Sequence, residues 1–218
     1  MIHTLAFTAT SHPIKLPAIT SGFGRGLLIK VWIRRSGSGG RQRVVDLVTS
    51  AGVHVVLGSG DREDSLSIGI GDGTDRKEVV ALGAMPLNRW VRVTAKIMDE
   101  GGGNGSATLS VFGIELAEGP TGAPGGGAFT ECSIAGGDAG LPFVGSLANL
   151  EIWRYPLPSL KDLTPPPVLL GSYPLDAVTY AKTVTTTTGD IKYYSVNDTS
   201  SRNNDGLVEG ELATLAFA

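Results

Sequence analysis

Thirty-one glycines and twelve prolines cut this 218-residue chain into short runs, almost none of them long enough or correctly spaced for an amphipathic helix. What remains reads as β. "GLLIKVWIRR" sets Leu27, Ile29, Val31 and Ile33 on one face, and "SLSIGIG" does the same with Leu66, Ile68 and Ile70. In "NRWVRVTAKI", Val91, Val93, Ala95 and Ile97 alternate with Arg92, Thr94 and Lys96, so one face is dry and the other wet or partly covered. About a dozen such segments at roughly ten-residue spacing predict a sandwich or barrel.

The tracts "MDEGGGNGS" and "PTGAPGGGA" are predicted to be hairpin tips or surface loops, because glycine loses the most backbone entropy on ordering and brings no side chain to pack. Pro165 to Pro167, in "LPSLKDLTPPPV", enforce an extended backbone with few donors and mark a linker or crossover; "PSLKDL" offers the one short helical turn. Beyond it, the Thr-rich "TVTTTTGD" returns to β character. The predicted organisation is one unit over 1–218, with the main sandwich in 1–158, the crossover in 159–167 and completing strands in 168–218. "TLAFT" at residues 4–8 recurs as "TLAFA" at 214–218, which fits chance, a rotated strand order, or a chain of more than one unit.

With 41% hydrophobic and 18% charged residues there is material for a real core, and a domain of this size buries ~70% of its unfolded surface. A net charge of -3 and a pI near 5.6 give no basic face for nucleic acid or anionic lipid, so nucleic acid is not an expected partner. Cys132 is the only cysteine, so neither an intrachain disulfide nor a cysteine metal cluster can form; it reads as a small buried hydrophobe. The N-terminus lacks the pattern of a signal peptide, and no window approaches 18 apolar residues, so no membrane span is predicted. The chain is expected to stay inside the cell, to leave without a leader, or to be part of a longer exported protein.

The order of the pieces carries a resemblance. "LAFTATSHPIKLP", "LLIKVWIRR", "NRWVRVTAKI", "ATLSVFGIEL" and "SIAGGDAGLPFVGSLANLEIWRYPLP", the last with Phe143, Gly145, Leu147, Leu150, Ile152, Trp153 and Tyr155, together resemble the laminin G-like and concanavalin A-like family over residues 1 to 158. "LLGSYPLD" and "VNDTSSRNNDGLVEG" are similar to the segment that usually opens such domains, here placed last. The resemblance implies an all-β, two-sheet jelly-roll sandwich, closed by strands from both ends of the chain and located extracellularly or at a surface. It also implies a binding module for a glycan or protein surface within a homo-oligomer or larger assembly.

The enzymes of this fold need paired carboxylates, and E-x-D-x-E is absent. Glu63 and Asp64 are adjacent and would face opposite ways in a strand; Glu115 and Glu118 have no partner at the needed spacing. His3, His12 and His54 fall in no nucleophile or metal motif, and His54 reads as structural with no identifiable partner. "GIGDGTD" lacks the following helix and Lys-Ser/Thr of a phosphate loop and reads as a hairpin turn.

The richest cluster of oxygen ligands is "VNDTSSRNNDG". Calcium takes six to eight oxygens, and relatives bind it at a sandwich edge; carried over, the resemblance makes Asp198 and Asp205 carboxylate ligands assisted by Asn203 and Asn204. The same string also serves wherever a loop needs Asx-turns, which explains the weaker candidates Asp72, Asp75 and Asp138 as well. For sugar recognition an aromatic platform is needed, and only 6% of the residues are aromatic. Trp32, Trp90 and Trp153 sit in strands and read as core or sheet-covering residues, which leaves Tyr180, Tyr193 and Tyr194 as the candidate stack and Arg202 as the nearby donor. The alternative to recognition is a structural unit making self or subunit contacts; a glycan-active enzyme is the third reading.

Overall fold

A computed structural model describes residues 2–20, 23–72, 76–123, 125, 127–136, 141–157, 165–176, 179–187, 189–202, 204–209 and 213–217. Their strands, in chain order, are β1 (Ile2–Phe7), β2 (Ile14–Leu16), β3 (Gly26–Arg35), β4 (Gln42–Thr49), β5 (His54–Ser59), β6 (Leu66–Gly71), β7 (Arg76–Ala81), β8 (Trp90–Gly101) and β9 (Asn104–Val111). There follow β10 (Ile114–Gly122), β11 (Phe129–Ile134), β12 (Leu141–Pro142), β13 (Gly145–Tyr155), β14 (Val168–Tyr173), β15 (Thr179–Thr186), β16 (Gly189–Val196), β17 (Gly206–Glu209) and β18 (Ala213–Phe217). No helix of the described residues is long and apolar enough to cross a membrane. The helical turn expected in "PSLKDL" lies outside the described residues.

The first sheet runs β10-β9-β8-β3-β13-β1-β18, with β14 also on β13; the second runs β15-β16-β17-β2-β11-β4-β5-β6-β7, with β12 on β4. Apart from the short parallel β12/β4 pair, the strands are antiparallel, and the two layers form a sandwich, the first of the two outcomes that the alternating runs allow and the jelly roll that the resemblance implies. The predicted dry faces meet inside it. Leu27, Ile29, Val31 and Ile33 are at most 1% exposed and share one apolar cluster with Val93, Ala95, Ile97, Leu47, Leu57 and Ile68. Leu170, Tyr173, Leu175, Tyr194, Val196 and Val208, all beyond the triple proline, belong to the same cluster.

The Gly-rich tracts divide. Gly102 and Gly103, at φ 63° and 81°, turn the β8–β9 hairpin as expected, whereas Pro120 to Gly122 extend β10 instead of forming a loop. The repeated "TLAF" segments lie side by side: β1 and β18 pair antiparallel, with Thr4 opposite Leu215 and Leu5 opposite Thr214.

One edge of β13 is shared. β3 occupies the other edge over most of its length, while β1 covers Gly145 to Leu147 and β14 covers Leu150 to Arg154. Between these two tenants Asn149 adopts φ 49° and makes a bulge, its N–H donating to the Pro174 carbonyl at 2.8 Å. A bulge of this kind re-aims a side chain and bends the strand. Here it opens a groove on the outer face of the first sheet.

Candidate functional site on the outer face of the first sheet

Alternation along β3 that buries Val31 must send Lys30 and Trp32 outward, and the register carries their neighbours with them. Trp32 stands opposite Arg92 of β8; Lys30 stands between Thr94 of β8 and Glu151 of β13. Lys30, Trp32, Arg92 and Glu151, with Asn149, Ser172 and Pro174, line a groove of about 170 Å³. Trp32 is half-buried and is braced edge-on by Phe112, with ring centroids 5.8 Å apart. Trp153 donates its indole N–H to Glu151 Oε2 at 3.0 Å, and Lys30 Nζ lies 5.2 Å above the Trp153 ring and 3.9 Å from the same oxygen. The groove therefore offers the Trp32 ring, a carboxylate held by Trp153 and Lys30, and the donors of Arg92, Asn149 and Ser172, with the Trp153 ring one rung farther along the same face.

Farther along the same face a second hollow of about 290 Å³ is lined by Arg25, Lys96, Met98, Tyr155 and Pro165 to Pro167. Lys96 Nζ lies 5.9 Å above the Tyr155 ring. Gly26 makes this closeness of packing feasible, because a Cβ there would sit 2.5 Å from the Ile97 carbonyl oxygen and 2.7 Å from Met98 Sδ.

Of the two places expected for the tryptophans, core or sheet cover, they take the second, on the outer side, and Tyr193 and Tyr194 are not brought together. Tyr193 and Tyr194 are consecutive in β16 and point to opposite faces; Tyr194 is only 9% exposed and joins the core, while Tyr193 has Lys182 Nζ 5.6 Å from its ring. The Tyr180 side chain lies outside the described residues, although its backbone pairs with Tyr194. Arg202 is exposed, but its Nε donates to the Leu169 carbonyl at 3.1 Å, so the guanidinium is tied to β14. The signal that places Trp32, Trp90 and Trp153 outward was present in the strands: each occupies the polar parity of its alternation, beside Lys30, Arg92 and Glu151 respectively.

The loop read as either a calcium site or a set of Asx-turns is bonded within itself and to β14. Asp198 is 7% exposed, and its Oδ1 accepts the N–H groups of Ser172 and Ser200, both at 2.8 Å. Its Oδ2 accepts the Ser200 hydroxyl at 2.6 Å and the Asn204 N–H at 3.0 Å. Four donors fill the acceptor positions of this one carboxylate, so a cation at Asp198 would compete with groups already bonded to it. Asp205 accepts the Asp198 N–H at 2.8 Å; Asn204 donates through its side chain to the Leu170 carbonyl at 3.2 Å. Asn203, Asp75 and Asp138 lie outside the described residues, and Asp72 is exposed where β6 turns into β7. Among the described residues no group of three His, Cys, Asp or Glu side chains converges as a metal site. What the loop does is dock on β14 at Leu169, Leu170 and Ser172, covering an edge and fixing Ser172 in the groove wall.

Burial pushes the Asp198 carboxyl up, but the Ser200 hydroxyl and the N–H groups of Ser172, Ser200 and Asn204 outweigh it and hold the group below the usual carboxylate range. Burial also raises Cys132, to about 12, in keeping with the inert interior thiol that the sequence predicts.

His54, read as partnerless, has a partner. Its Nδ1 lies 3.0 Å from Oδ1 of Asp46, a 2% exposed carboxylate whose other oxygen takes the Arg43 guanidinium. The adjoining hollow on the second sheet is about 20 Å³, room for one water. Ser133, which helps line it, donates its hydroxyl to the Gly136 carbonyl.

Comparison with known families decides where the chain belongs. The profile described as the concanavalin A-like lectin/glucanases superfamily matches residues 8–160. The chain is a member of that superfamily. No curated protein matches it in sequence. Among solved structures, this superfamily member superposes on a Bacteroides ovatus ATCC 8483 protein described as carbohydrate binding, with a TM-score of 0.62 and 15% identity, over 99% of this chain and 60% of that one. It also superposes on domain 4 of AbnA, a GH43 extracellular arabinanase from Geobacillus stearothermophilus solved with arabinotriose, with a TM-score of 0.52 and 14% identity, over 69% of this chain and 70% of that one. Domains LG4-5 of the mouse laminin alpha1 chain match with a TM-score of 0.53 and 13% identity, over 69% of this chain and 40% of theirs. The laminin G-like architecture read from the strand order is therefore shared, and at these identities the likeness concerns the fold.

Proposed function

We propose that this chain is a non-catalytic carbohydrate-binding module that holds its ligand on the outer face of the first sheet. The observation that carries the reading is the pair of half-buried, outward indoles: Trp32, set in the groove with Arg92, Asn149, Glu151 and Ser172, and Trp153, bonded to that Glu151 on the same face. Aromatic faces supply apolar contact to a sugar ring, and a few fixed polar groups orient its hydroxyls. Two relatives by fold support the choice of ligand: the B. ovatus protein is described as carbohydrate binding, and the AbnA domain was solved with arabinotriose. Hydrolysis of a glycoside commonly needs a pair of carboxylates flanking the bond, and among the described residues lining this groove Glu151 is the sole carboxylate.

A glycan array followed by calorimetry on each hit tests the proposal. Trp32→Ala and Trp153→Ala are expected to weaken binding at least tenfold, while Tyr193→Ala leaves it unchanged. Retention of affinity by both tryptophan variants would move the ligand elsewhere. The second reading, an assembly unit, draws on Phe112, Ile114 and Leu116, which are 47–66% exposed in and beside edge strand β10. A blank array with self-association in light scattering favours it.

A further inference from the structure

We infer that the ligand is an extended uronate-type glycan, its chain lying along the strands and its carboxylates met by a ladder of cations. The inference rests on the proposed glycan site and names its substrate class. The register of β8, β3 and β13 divides the outer face into rungs, two residues apart on each strand. The first rung holds Arg92 and Trp32. The second holds Thr94, Lys30 and Glu151; the third, Lys96, Leu28 and Trp153; the fourth, Met98, Gly26 and Tyr155, with Arg25 beside it.

Each of the first three rungs carries one cation, Arg92, Lys30 and Lys96 in turn, and Arg25 adds another beside the fourth. Rungs on one face are ~6.8 Å apart, so the ladder spans roughly 20 Å from the Trp32 rung to the Tyr155 rung. Trp32, Trp153 and Tyr155 are distributed along the same line. A single sugar would use one ring and one rung; a track of this length fits several sugar rings in a row.

The sign of the track runs against the rest of the chain. The protein carries a net charge of -3, yet among the described residues lining the two hollows four are cations and only Glu151 is acidic. Glu151 is committed to Trp153 and Lys30. Arg92 is exposed and makes no ion pair among the described residues; neither does Arg25. Guanidinium and ammonium groups donate only, and a guanidinium meets a carboxylate with two parallel hydrogen bonds. A neutral sugar, whose hydroxyls both donate and accept, gives such a row no reason to recur. The cations stand singly, with a carboxylate among them, which suits a polymer bearing one charge per sugar and disfavours a polyphosphate, whose affinity depends on clustered Lys and Arg.

The test measures calorimetric affinity for a galacturonate hexamer, the galacturonate monomer, the fully methyl-esterified hexamer and a single-stranded oligothymidylate, for the native protein and for Arg92→Gln, Lys96→Gln and Trp32→Ala. Thermal melts check that each variant folds. The expected result is that the acidic hexamer binds best, weakens with added salt, and loses about fivefold to tenfold affinity in each charge variant and more in Trp32→Ala. Equal affinity for the ester, unaffected by Arg92→Gln but lost in Trp32→Ala, overturns the acidic ligand and leaves the glycan site standing. Equal affinity for monomer and hexamer overturns the extended track. Tighter binding of oligothymidylate overturns the glycan assignment in favour of nucleic acid. No binding of any sugar here, with a blank glycan array, removes the inference and the proposed function together.

Discussion

The Tyr173 hydroxyl donates to the Asn204 carbonyl at 3.0 Å, across a gap of 31 residues. The ring is wholly buried, and burial, with the neighbouring Asp198 charge, raises the phenol far above its ordinary range, so it acts as a permanent donor. The bond joins β14 to the loop that covers its edge, and through β14 to the wall of the groove.

Tyr173→Phe keeps the ring and removes that bond. It is expected to cost about 1 kcal/mol, read from urea unfolding. Gly171→Ala acts on the same contact from the other side. A Cβ at Gly171 would lie 2.7 Å from Tyr173 Cε2 and 2.9 Å from its hydroxyl, and the ring has no free space to retreat into; the expected cost is about 1–3 kcal/mol. An unchanged midpoint in Gly171→Ala would show that the ring is not held where it lies here.

Asp198 makes stability depend on acid. Its carboxyl is held below the ordinary value of 3.8, so its contribution is complete above that value and is lost as pH falls through the lower, folded one. Asp198→Asn exchanges an acceptor of four donors for an amide that accepts at one atom and clashes as a donor at the other, costing about 2 kcal/mol at pH 7. Native and variant unfolding free energies are expected to differ by a constant amount from pH 7 to pH 5 and to converge below pH 4. A difference that persists undiminished in acid would assign the loss to packing instead of charge.

Calcium is not expected to raise the melting temperature, and a chelator is not expected to lower it, because a cation at Asp198 would have to displace N–H groups already bonded there. A rise in melting temperature with millimolar calcium, abolished by Asp198→Asn, would show that the loop rearranges to bind.

Cutting the chain between Leu157 and Pro165, at an inserted protease site, is expected to leave the two pieces associated in size-exclusion chromatography. β14 pairs with β13, β17 with β2 and β18 with β1, and Tyr173, Val196 and Val208 share the core of the earlier strands. Separation of the pieces under native conditions would contradict a common interior.

Much of the sandwich can be read from the chain because strand alternation is local. Leu27, Ile29, Val31 and Ile33 declare their face within eight residues, and a one-residue slip would expose them all. The same parity assigns Trp32 and Trp153 to the wet side, but a tryptophan's general tendency to be covered points the other way, and only their placement resolves the conflict. Asp198, Asn204 and Asp205 look like ligands in the chain because a cation and a row of backbone N–H groups ask for similar polar strings. What separates them is the position of Ser172, which is distant in sequence.

The sequence alone determined that this chain builds pleated strands with one apolar and one polar face, since that outcome depends on side chains two residues apart. Which outward residues become neighbours was decided by tertiary structure. Trp32 meets Arg92, and Lys30 meets Glu151, only through the registers of β8, β3 and β13, which the whole core fixes at once by requiring every strand's apolar face to be buried together.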